Sequence, residues 1–160
     1  MFVFYAKLTP TFGNATAMTA ALNQFAKSQD GGDTPYLAAL SGVQGALASD
    51  PGLYQMGPTA PLYFVVFMSD GYPTDAVSGQ SPVVVDQAAL QRAISSILAM
   101  APGRITLSTV YYGTINDPTA AATLQTMANA GQGQFANVDT GSISSISVND
   151  LIKVPVGKCQ

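Results

Sequence analysis

The sequence contains no histidine, no tryptophan, a single cysteine and few charged residues. Without histidine, the chain cannot build a Ser-His-Asp triad, a Cys-His nucleophile pair or a histidine-ligated metal site. Cys159 alone cannot close an internal disulfide or form a cysteine zinc site. Two interpretations of Cys159 stay open: a free thiol without a role, and a disulfide partner for a cysteine in a segment absent from this chain.

Charge is scarce along the whole chain. Charged residues make up 9% of the sequence, against about a quarter in an average protein. The net charge is −3 and lysine and arginine form no cluster, which argues against nucleic acid and anionic membranes as partners, because binding phosphates requires clustered positive charge. The apolar runs are too short to cross a membrane. A surface of serine, threonine, asparagine and glutamine is typical of extracellular or cell-surface proteins, including those of bacteria.

The most informative stretch is the apolar run Leu62–Met68, followed directly by Ser69, Asp70 and Gly71. Seven apolar residues without alternation predict a strand buried on both faces, as in a parallel sheet covered by helices. Asp70 then falls at the end of that strand, where ligands bind in open α/β sheets. The alternative is that Asp70 caps the following turn, as aspartate often does.

Strand and helix patterns alternate from one end of the chain to the other. This alternation predicts an α/β fold with a doubly wound, mostly parallel sheet flanked by helices and right-handed crossovers. We expect one domain over residues 1–150 and an extended tail over 151–160. The expected strands are Phe2–Leu8, Leu62–Met68, Arg104–Tyr112 and Gln134–Val138, and the expected helices are Ala15–Ser28 (capped by Asn14 or Thr16), one opening at Thr34-Pro35, Val85–Met100, one from Asp117-Pro118 to Gly131, and Val148–Leu151.

A second candidate site residue is Thr34, which follows the glycine-rich bend Gly31–Asp33 and precedes a predicted helix. A hydroxyl from Thr34 and a carboxylate from Asp70 are hard oxygen ligands, which suit Mg²⁺, Mn²⁺ or Ca²⁺ rather than zinc or copper. The alternative for Thr34 is a plain helix N-cap.

Three stretches together resemble the von Willebrand factor type A (VWA) domain family: GGDTPYLAAL (Gly31–Leu40), FVVFMSDGYPTD (Phe64–Asp75) and ATLQTMANAGQGQFANV (Ala122–Val138). The resemblance implies a Rossmann-like VWA fold with a metal-ion-dependent adhesion site. It implies that Thr34 and Asp70 are metal ligands, Asp70 either directly or through a water molecule.

The resemblance also implies a rim around this ion. Asp75 and the backbone of Gly71–Thr74 would shape the rim. From its position in the sequence, Asp33 lies at the rim or in solvent. Two interpretations of Tyr72 stay open: a packing residue, which we favour, and a contact to a partner from the loop beside the metal. For Asp75, a solvated turn residue is the competing interpretation.

One departure from the family pattern is large. The family's D-x-S-x-S motif, which ends its first strand and supplies an aspartate and two serines to the metal, does not occur before Gly31. We therefore expect a domain that is incomplete at its N-terminus, with the missing strand and helix supplied by an upstream segment or by another polypeptide. Losing a central strand would otherwise leave unpaired backbone groups in the core.

The resemblance implies binding rather than catalysis. A Mg²⁺-type ion (or Mn²⁺ or Ca²⁺) would keep one open position, and an acidic side chain of another protein would fill it, in adhesion or in assembly of a complex. One alternative is a structural subunit of a surface assembly with a degenerate metal site. A second is a Mg²⁺-dependent α/β hydrolase using Asp70, but no second acid or base clusters with Asp70 and GGDT is not a phosphate-binding loop; we expect no enzyme.

Overall fold

The computed structural model describes residues 14, 16–17, 19–20, 23, 34–75, 83–84, 86–113, 117–138 and 147–152. In chain order the elements are α1 (Tyr36–Ala48), a 3-10 helix (Pro51–Tyr54), β1 (Tyr63–Ser69), β2 (Thr74–Asp75), β3 (Val83–Val84), α2 (Gln87–Ala99), β4 (Ile105–Tyr111), α3 (Pro118–Ala130), β5 (Gln132–Asn137) and α4 (Val148–Leu151). They fall into two compact units. The sheet unit comprises the described residues of Leu62–Tyr72 and Gly103–Gln160, and the helical unit those of Met1–Pro61 and Pro73–Pro102.

The sheet unit is built on three parallel strands in the order β1-β4-β5. Tyr63 of β1 pairs with Ile105 of β4, and the register continues without a shift to Ser69 and Tyr111. Helix α3 contacts β4 and β5, and α4 contacts β5. The chain therefore has the predicted α/β architecture: an open, all-parallel sheet with flanking helices, of the Rossmann-like kind.

Adjacent residues of β4 show that helices cover both of its faces. The buried Ser108 hydroxyl donates to the main-chain oxygen of Leu151 in α4 at 2.6 Å, and the buried Thr109 hydroxyl donates to that of Leu124 in α3 at 2.7 Å. Successive side chains of a strand point to opposite faces. Consequently α3 and α4 lie on opposite faces of the sheet. The α4 face also carries a small apolar cluster of Val110, Val138 and Leu151, against which Ala136 packs.

The pairing of β4 with β5 contains a bulge. Leu107 pairs with Gln132 and Thr109 with Phe135, so β5 has one residue more than β4 between these pairs. Gln132 takes a positive φ of 59° at this point. The extra residue leaves the Gln134 N–H outside the ladder, and it donates instead to the Ser108 hydroxyl at 3.0 Å.

The helical unit contains α1, α2 and the antiparallel pair β2-β3. Helix α1 contacts both α2 and β2. The apolar periodicity predicts the buried faces in part. The expected residues that are buried are Leu40, Val43 and Leu47 of α1 and Leu90 and Ile94 of α2. Of the other expected residues, Ala88 is exposed and three are half-buried: Leu37, Ala93 and Leu98. Ahead of this unit's main helices, Thr16, Ala17, Thr19, Ala20 and Asn23 are helical, and the Asn14 side chain accepts the Ala17 N–H at 3.0 Å, as one of the two predicted caps.

The helix starts show one confirmed prediction and one correction. Asp117 caps α3 by accepting the N–H groups of Thr119 and Ala120, with Pro118 at the first helical position. Helix α1, in contrast, begins one residue later than predicted: Pro35 occupies the N-cap position, and no side chain of the described residues caps the helix. The capping interpretation of Thr34 is therefore wrong, because the residue at the N-cap is a proline without a polar side chain.

The burial of β1 also differs from the prediction. Tyr63, Phe67 and Ser69 are buried, but Val66 and Met68 on the other face are 40% and 43% exposed. The strand buried on both faces is β4, which lies between β1 and β5. The predicted strand Phe2–Leu8 and the tail from Lys153 lie outside the described residues. Within the described residues, no helix has both the length and the apolar character needed to span a membrane.

Candidate functional site

Asp70 lies immediately after the last residue of β1, and its side chain is exposed. Because β1, β4 and β5 are parallel, their carboxyl ends meet at one edge of the sheet. The ligand crevice of an open α/β sheet lies outside this edge. The structure therefore places Asp70 where the sequence predicts a site residue.

The turn that carries Asp70 is held by its neighbour. The buried Ser69 hydroxyl accepts the Gly71 N–H at 3.3 Å and lies 3.2 Å from the Gly71 carbonyl oxygen, to which it donates. Among the described residues, no hydrogen bond to the Asp70 carboxylate is found. The interpretation of Asp70 as a turn cap is therefore not supported, because the hydrogen bonds that hold this turn come from the Ser69 hydroxyl and not from the aspartate. The carboxylate stays available to a ligand.

The loop after β4 packs tightly against the Asp70 turn. The Tyr112 N–H donates to the Ser69 carbonyl at 3.1 Å. Gly113 is buried, and a Cβ added to it would meet the Tyr111 hydroxyl and would lie 2.8 Å from the Asp70 carbonyl oxygen. Only glycine permits this approach. The fully buried Tyr111 in turn accepts the Asp117 N–H through its hydroxyl at 3.1 Å.

Thr34 belongs to the helical unit, where it is joined to Thr74 by two hydrogen bonds. The Thr34 N–H donates to the Thr74 hydroxyl at 3.0 Å, and the Thr74 N–H donates to the Thr34 carbonyl at 2.9 Å. The same carbonyl accepts the Tyr36 N–H at the start of α1, at 3.0 Å. Both threonines are half-buried. We call this pair the Thr34–Thr74 clamp.

The predicted rim residues are only partly described. Gly71 and Tyr72 are half-buried and directly follow Asp70 in the sheet unit. For Asp75 only the main chain in β2 is described, and Asp33 and Cys159 lie outside the described residues. The structure thus brings Asp70 together with Gly71 and the loop after β4, and it brings Thr34 together with Thr74.

The sequence prediction does not name Ser69 and Gly113 as contributors, and it includes Thr74 only through its main chain at the rim. Each has a signal that is visible afterwards. Ser69 ends the strand one residue before the candidate ligand, Thr74 lies four residues after Asp70, and Gly113 follows two tyrosines at the end of a strand. None of these signals is specific without knowing which loops meet.

The exposed Asp70 carboxylate is an oxygen donor of the type that Mg²⁺ accepts, with water filling its other positions. Thr34, which belongs to the other unit, carries an alcohol oxygen of the same hard type. In the part of the chain that the structure describes, no group of three histidine, cysteine, aspartate or glutamate side chains could hold a metal ion. Any ion here would therefore rely on hydroxyl, main-chain and water oxygens beside Asp70.

Comparison with known proteins adds no relative: no protein-family model, no curated protein and no solved structure matches the chain.

Proposed function

We propose that this chain is a metal-dependent protein-binding module, which captures an acidic side chain of another protein through a Mg²⁺-type ion. Asp70 and Thr34 would hold the ion, with Gly71, Tyr72 and Asp75 at the rim of the site. The ion would supply a positive charge with an open coordination position, where a partner carboxylate binds. The resemblance to VWA domains gives the same assignment and an extracellular or cell-surface setting.

The observation that carries the proposal is the state of Asp70. Its side chain is exposed at the carboxyl end of β1, while the turn around it is held by the Ser69 hydroxyl. The turn is held without a hydrogen bond from the Asp70 carboxylate, so this carboxylate is open to an external ligand. With a net charge of −3, the chain would not attract an acidic partner without a cation.

The assignment of Thr34 to the same ion rests on the resemblance. Within its own unit, the main chain of Thr34 is held by Thr74 through the clamp.

A test uses the full chain, Mn²⁺ as the probe ion and the variants D70N and D150N. Asp150 is a second exposed aspartate, so D150N is a matched control for the loss of one negative charge. Electron paramagnetic resonance of free Mn²⁺ measures binding, and competition with Mg²⁺ checks the preferred ion. We expect D70N to weaken Mn²⁺ binding at least about tenfold and D150N to leave it unchanged.

Partner capture is tested on immobilised poly-glutamate. The proposal predicts capture of wild-type protein in Mg²⁺, release by EDTA and no capture of D70N. Equal Mn²⁺ affinities for wild type, D70N and D150N would refute it. Absence of Mn²⁺ binding by wild type would instead favour the structural-subunit alternative, and Mg²⁺-dependent ester hydrolysis that D70N abolishes would favour the hydrolase alternative.

A further inference from the structure

Three apolar side chains of β1 lie on the face of the sheet that α4 occupies. Phe64 is half-buried, and Val66 and Met68 are exposed. In the parallel register, Val66 lies beside Ser108 and Met68 beside Val110, and side chains at the same level of adjacent strands point to the same face. Because the Ser108 hydroxyl binds α4, the three side chains are on the α4 face. We call them the β1 patch.

Helix α4 ends next to the strand that carries this patch. Its last residue, Leu151, packs in one apolar cluster with Val110 of β4, and the Leu151 carbonyl accepts the Ser108 hydroxyl at 2.6 Å. The following residue, Ile152, is no longer helical and is half-buried. Since adjacent strands of a sheet are only about 4.8 Å apart, the chain leaves α4 over β4, directly beside the β1 patch and within the same compact unit.

The sequence after α4 has the pattern of an extended segment with one apolar side. Ile152, Val154 and Val156 are apolar, and a lysine and a proline stand between them. A period of two places the three apolar residues on one side of an extended chain, and the proline favours an extended conformation at Val154 before it. Residues 153–160 lie outside the described residues, and at about 3.3 Å per residue they are long enough to follow the seven residues of β1.

We propose that residues 152–156 pack across the β1 patch in an extended conformation, so that their three apolar side chains cover Val66 and Met68. The segment begins beside the patch, has sufficient length, and presents apolar side chains to a surface without charge. Lys153, on the opposite side of the segment, points to solvent in this arrangement. The segment thereby continues over β1 the layer that α4 begins over β4. This inference goes beyond the proposed function and does not depend on a bound ion.

Oxidation of Met68 by hydrogen peroxide measures whether the patch is covered. Peroxide transfers one oxygen atom to the thioether sulfur and leaves as water, giving methionine sulfoxide, and the rate follows the exposure of the sulfur. The experiment uses the full chain, with EDTA present and no added metal, and peptide-mapping mass spectrometry gives the initial rate at each methionine. Met56 is 94% exposed and Met127 of α3 is 1% exposed, so they supply fast and slow reference rates in the same molecule.

Three variants change the tail without touching the sheet. V154D and V156D each place a carboxylate on the apolar side of the segment, whereas Q160D adds the same charge to the same tail outside residues 152–156 and is the matched control. Loss of one buried valine corresponds to about tenfold or more in the equilibrium for docking. We expect Met68 to oxidise at least about threefold faster in V154D and in V156D, and Q160D to stay within about 1.5-fold of wild type.

Each outcome decides on the occupant of the patch. Met68 oxidising as fast as Met56 in wild type would show an open patch, and rates in V154D and V156D equal to that in Q160D would show that the tail does not cover it; either result overturns the inference. Protection of Met68 that disappears on dilution would assign the patch to a second copy of the chain and would also overturn it. Faster oxidation of Met127 together with Met68 would indicate a loosened fold instead of a released segment, and it would count against the inference in the same way.

The supporting result is faster oxidation of Met68 in V154D and V156D, at an unchanged rate for Met127 and independent of protein concentration. Since no metal takes part, the inference and the proposed ion site stand or fall separately.

Discussion

Replacing Ser108 by alanine should destabilise the sheet unit far more than the small change in size suggests. The Ser108 side chain is 2% exposed, and its hydroxyl joins three elements of the fold. It lies on β4, donates to the Leu151 carbonyl of α4 at 2.6 Å and accepts the Gln134 N–H of β5 at 3.0 Å. The Gln134 N–H depends on this hydroxyl because the bulge in β5 takes it out of the ladder.

The magnitude follows from what S108A leaves behind. A buried donor or acceptor that loses its partner costs about 1–3 kcal/mol. Gln134 is half-buried, so water can partly replace its lost partner, whereas the bond to Leu151 is buried. We therefore expect a decrease of about 2–4 kcal/mol in the free energy of unfolding. That is a large fraction of the total stability of a domain, about 5–15 kcal/mol.

Urea unfolding measures this decrease. The chain contains no tryptophan, so far-ultraviolet circular dichroism and tyrosine fluorescence are the two probes, and their coincidence tests two-state behaviour. With a slope of about 2 kcal/mol per molar urea, the midpoint should fall by about 1–2 M. Amide hydrogen exchange at Gln134 should also become faster in S108A, because its N–H loses the Ser108 hydroxyl as acceptor.

The matched control is S96A. Ser96 is exposed on α2 and its hydroxyl donates to the Arg92 carbonyl at 3.0 Å, so S96A also removes one serine and one main-chain contact. Because water replaces that contact and alanine is the better helix former, we expect a change of about 0.5 kcal/mol or less. If S108A fell within about 0.5 kcal/mol of S96A, the hydroxyl would not support the bulge and our reasoning on it would be refuted.

Two further pairs of substitutions test the packing beside Asp70 and the cap of α3. G113A should lower the free energy of unfolding by about 1–3 kcal/mol and weaken Mn²⁺ binding, because the added Cβ would press on the Asp70 main chain. G45A is the matched control, because a Cβ at Gly45 of α1 would meet only open space. We expect G45A to raise the free energy of unfolding by about 0.5–1 kcal/mol. D117A should cost about 1 kcal/mol by removing the α3 cap, and D117N should recover most of it. Urea unfolding measures all four variants, and a G113A protein as stable as G45A, or D117N as unstable as D117A, would contradict the packing and capping described above.

The local features of the fold could be predicted from the sequence. The pair Asp117-Pro118 predicts the start of α3, because a capping carboxylate and a proline without an N–H suit those two positions, and the structure has both. The apolar spacing of Leu124, Met127 and Ala128 predicts the buried face of the same helix, and all three are buried. These features depend on neighbours within a few residues, which the sequence displays directly.

The strand that forms the centre of the sheet could not be identified in the same way. The run before Asp70 is the most apolar, yet β4, with the sequence ITLSTVY, is the more buried strand. Its two buried polar residues are tolerated because the Ser108 and Thr109 hydroxyls bind carbonyls of the helices on opposite faces. A buried hydroxyl with a partner costs little, but that partner is supplied by residues far along the chain, which no local pattern reveals.

The candidate site likewise has local features that the sequence predicts and non-local features that it does not. The position of Asp70 after a strand is local, and its placement at the carboxyl end of β1 is as predicted. Ser69 also acts locally, on Gly71 of its own turn. The parts played by Thr74 and Gly113 are not local, since Thr74 binds Thr34 and Gly113 packs against Asp70, both far away along the chain. The start of α1 was misplaced by one residue because proline is common at the first helical position, while here it occupies the N-cap.

The support around Asp70 suits the proposed ion-mediated capture, which demands less of a site than hydrolysis does. Hydrolysis needs a second group to activate water or to protonate a leaving group, positioned against the first. Ion-mediated capture needs only fixed oxygen donors and an open position, since the partner supplies the last ligand. The contacts found here hold the main chain at Asp70: Ser69 binds Gly71 within the turn, and Gly113 packs closely against the Asp70 carbonyl. With its main chain restrained, Asp70 loses mainly side-chain freedom on binding a cation, and that partial pre-organisation benefits affinity.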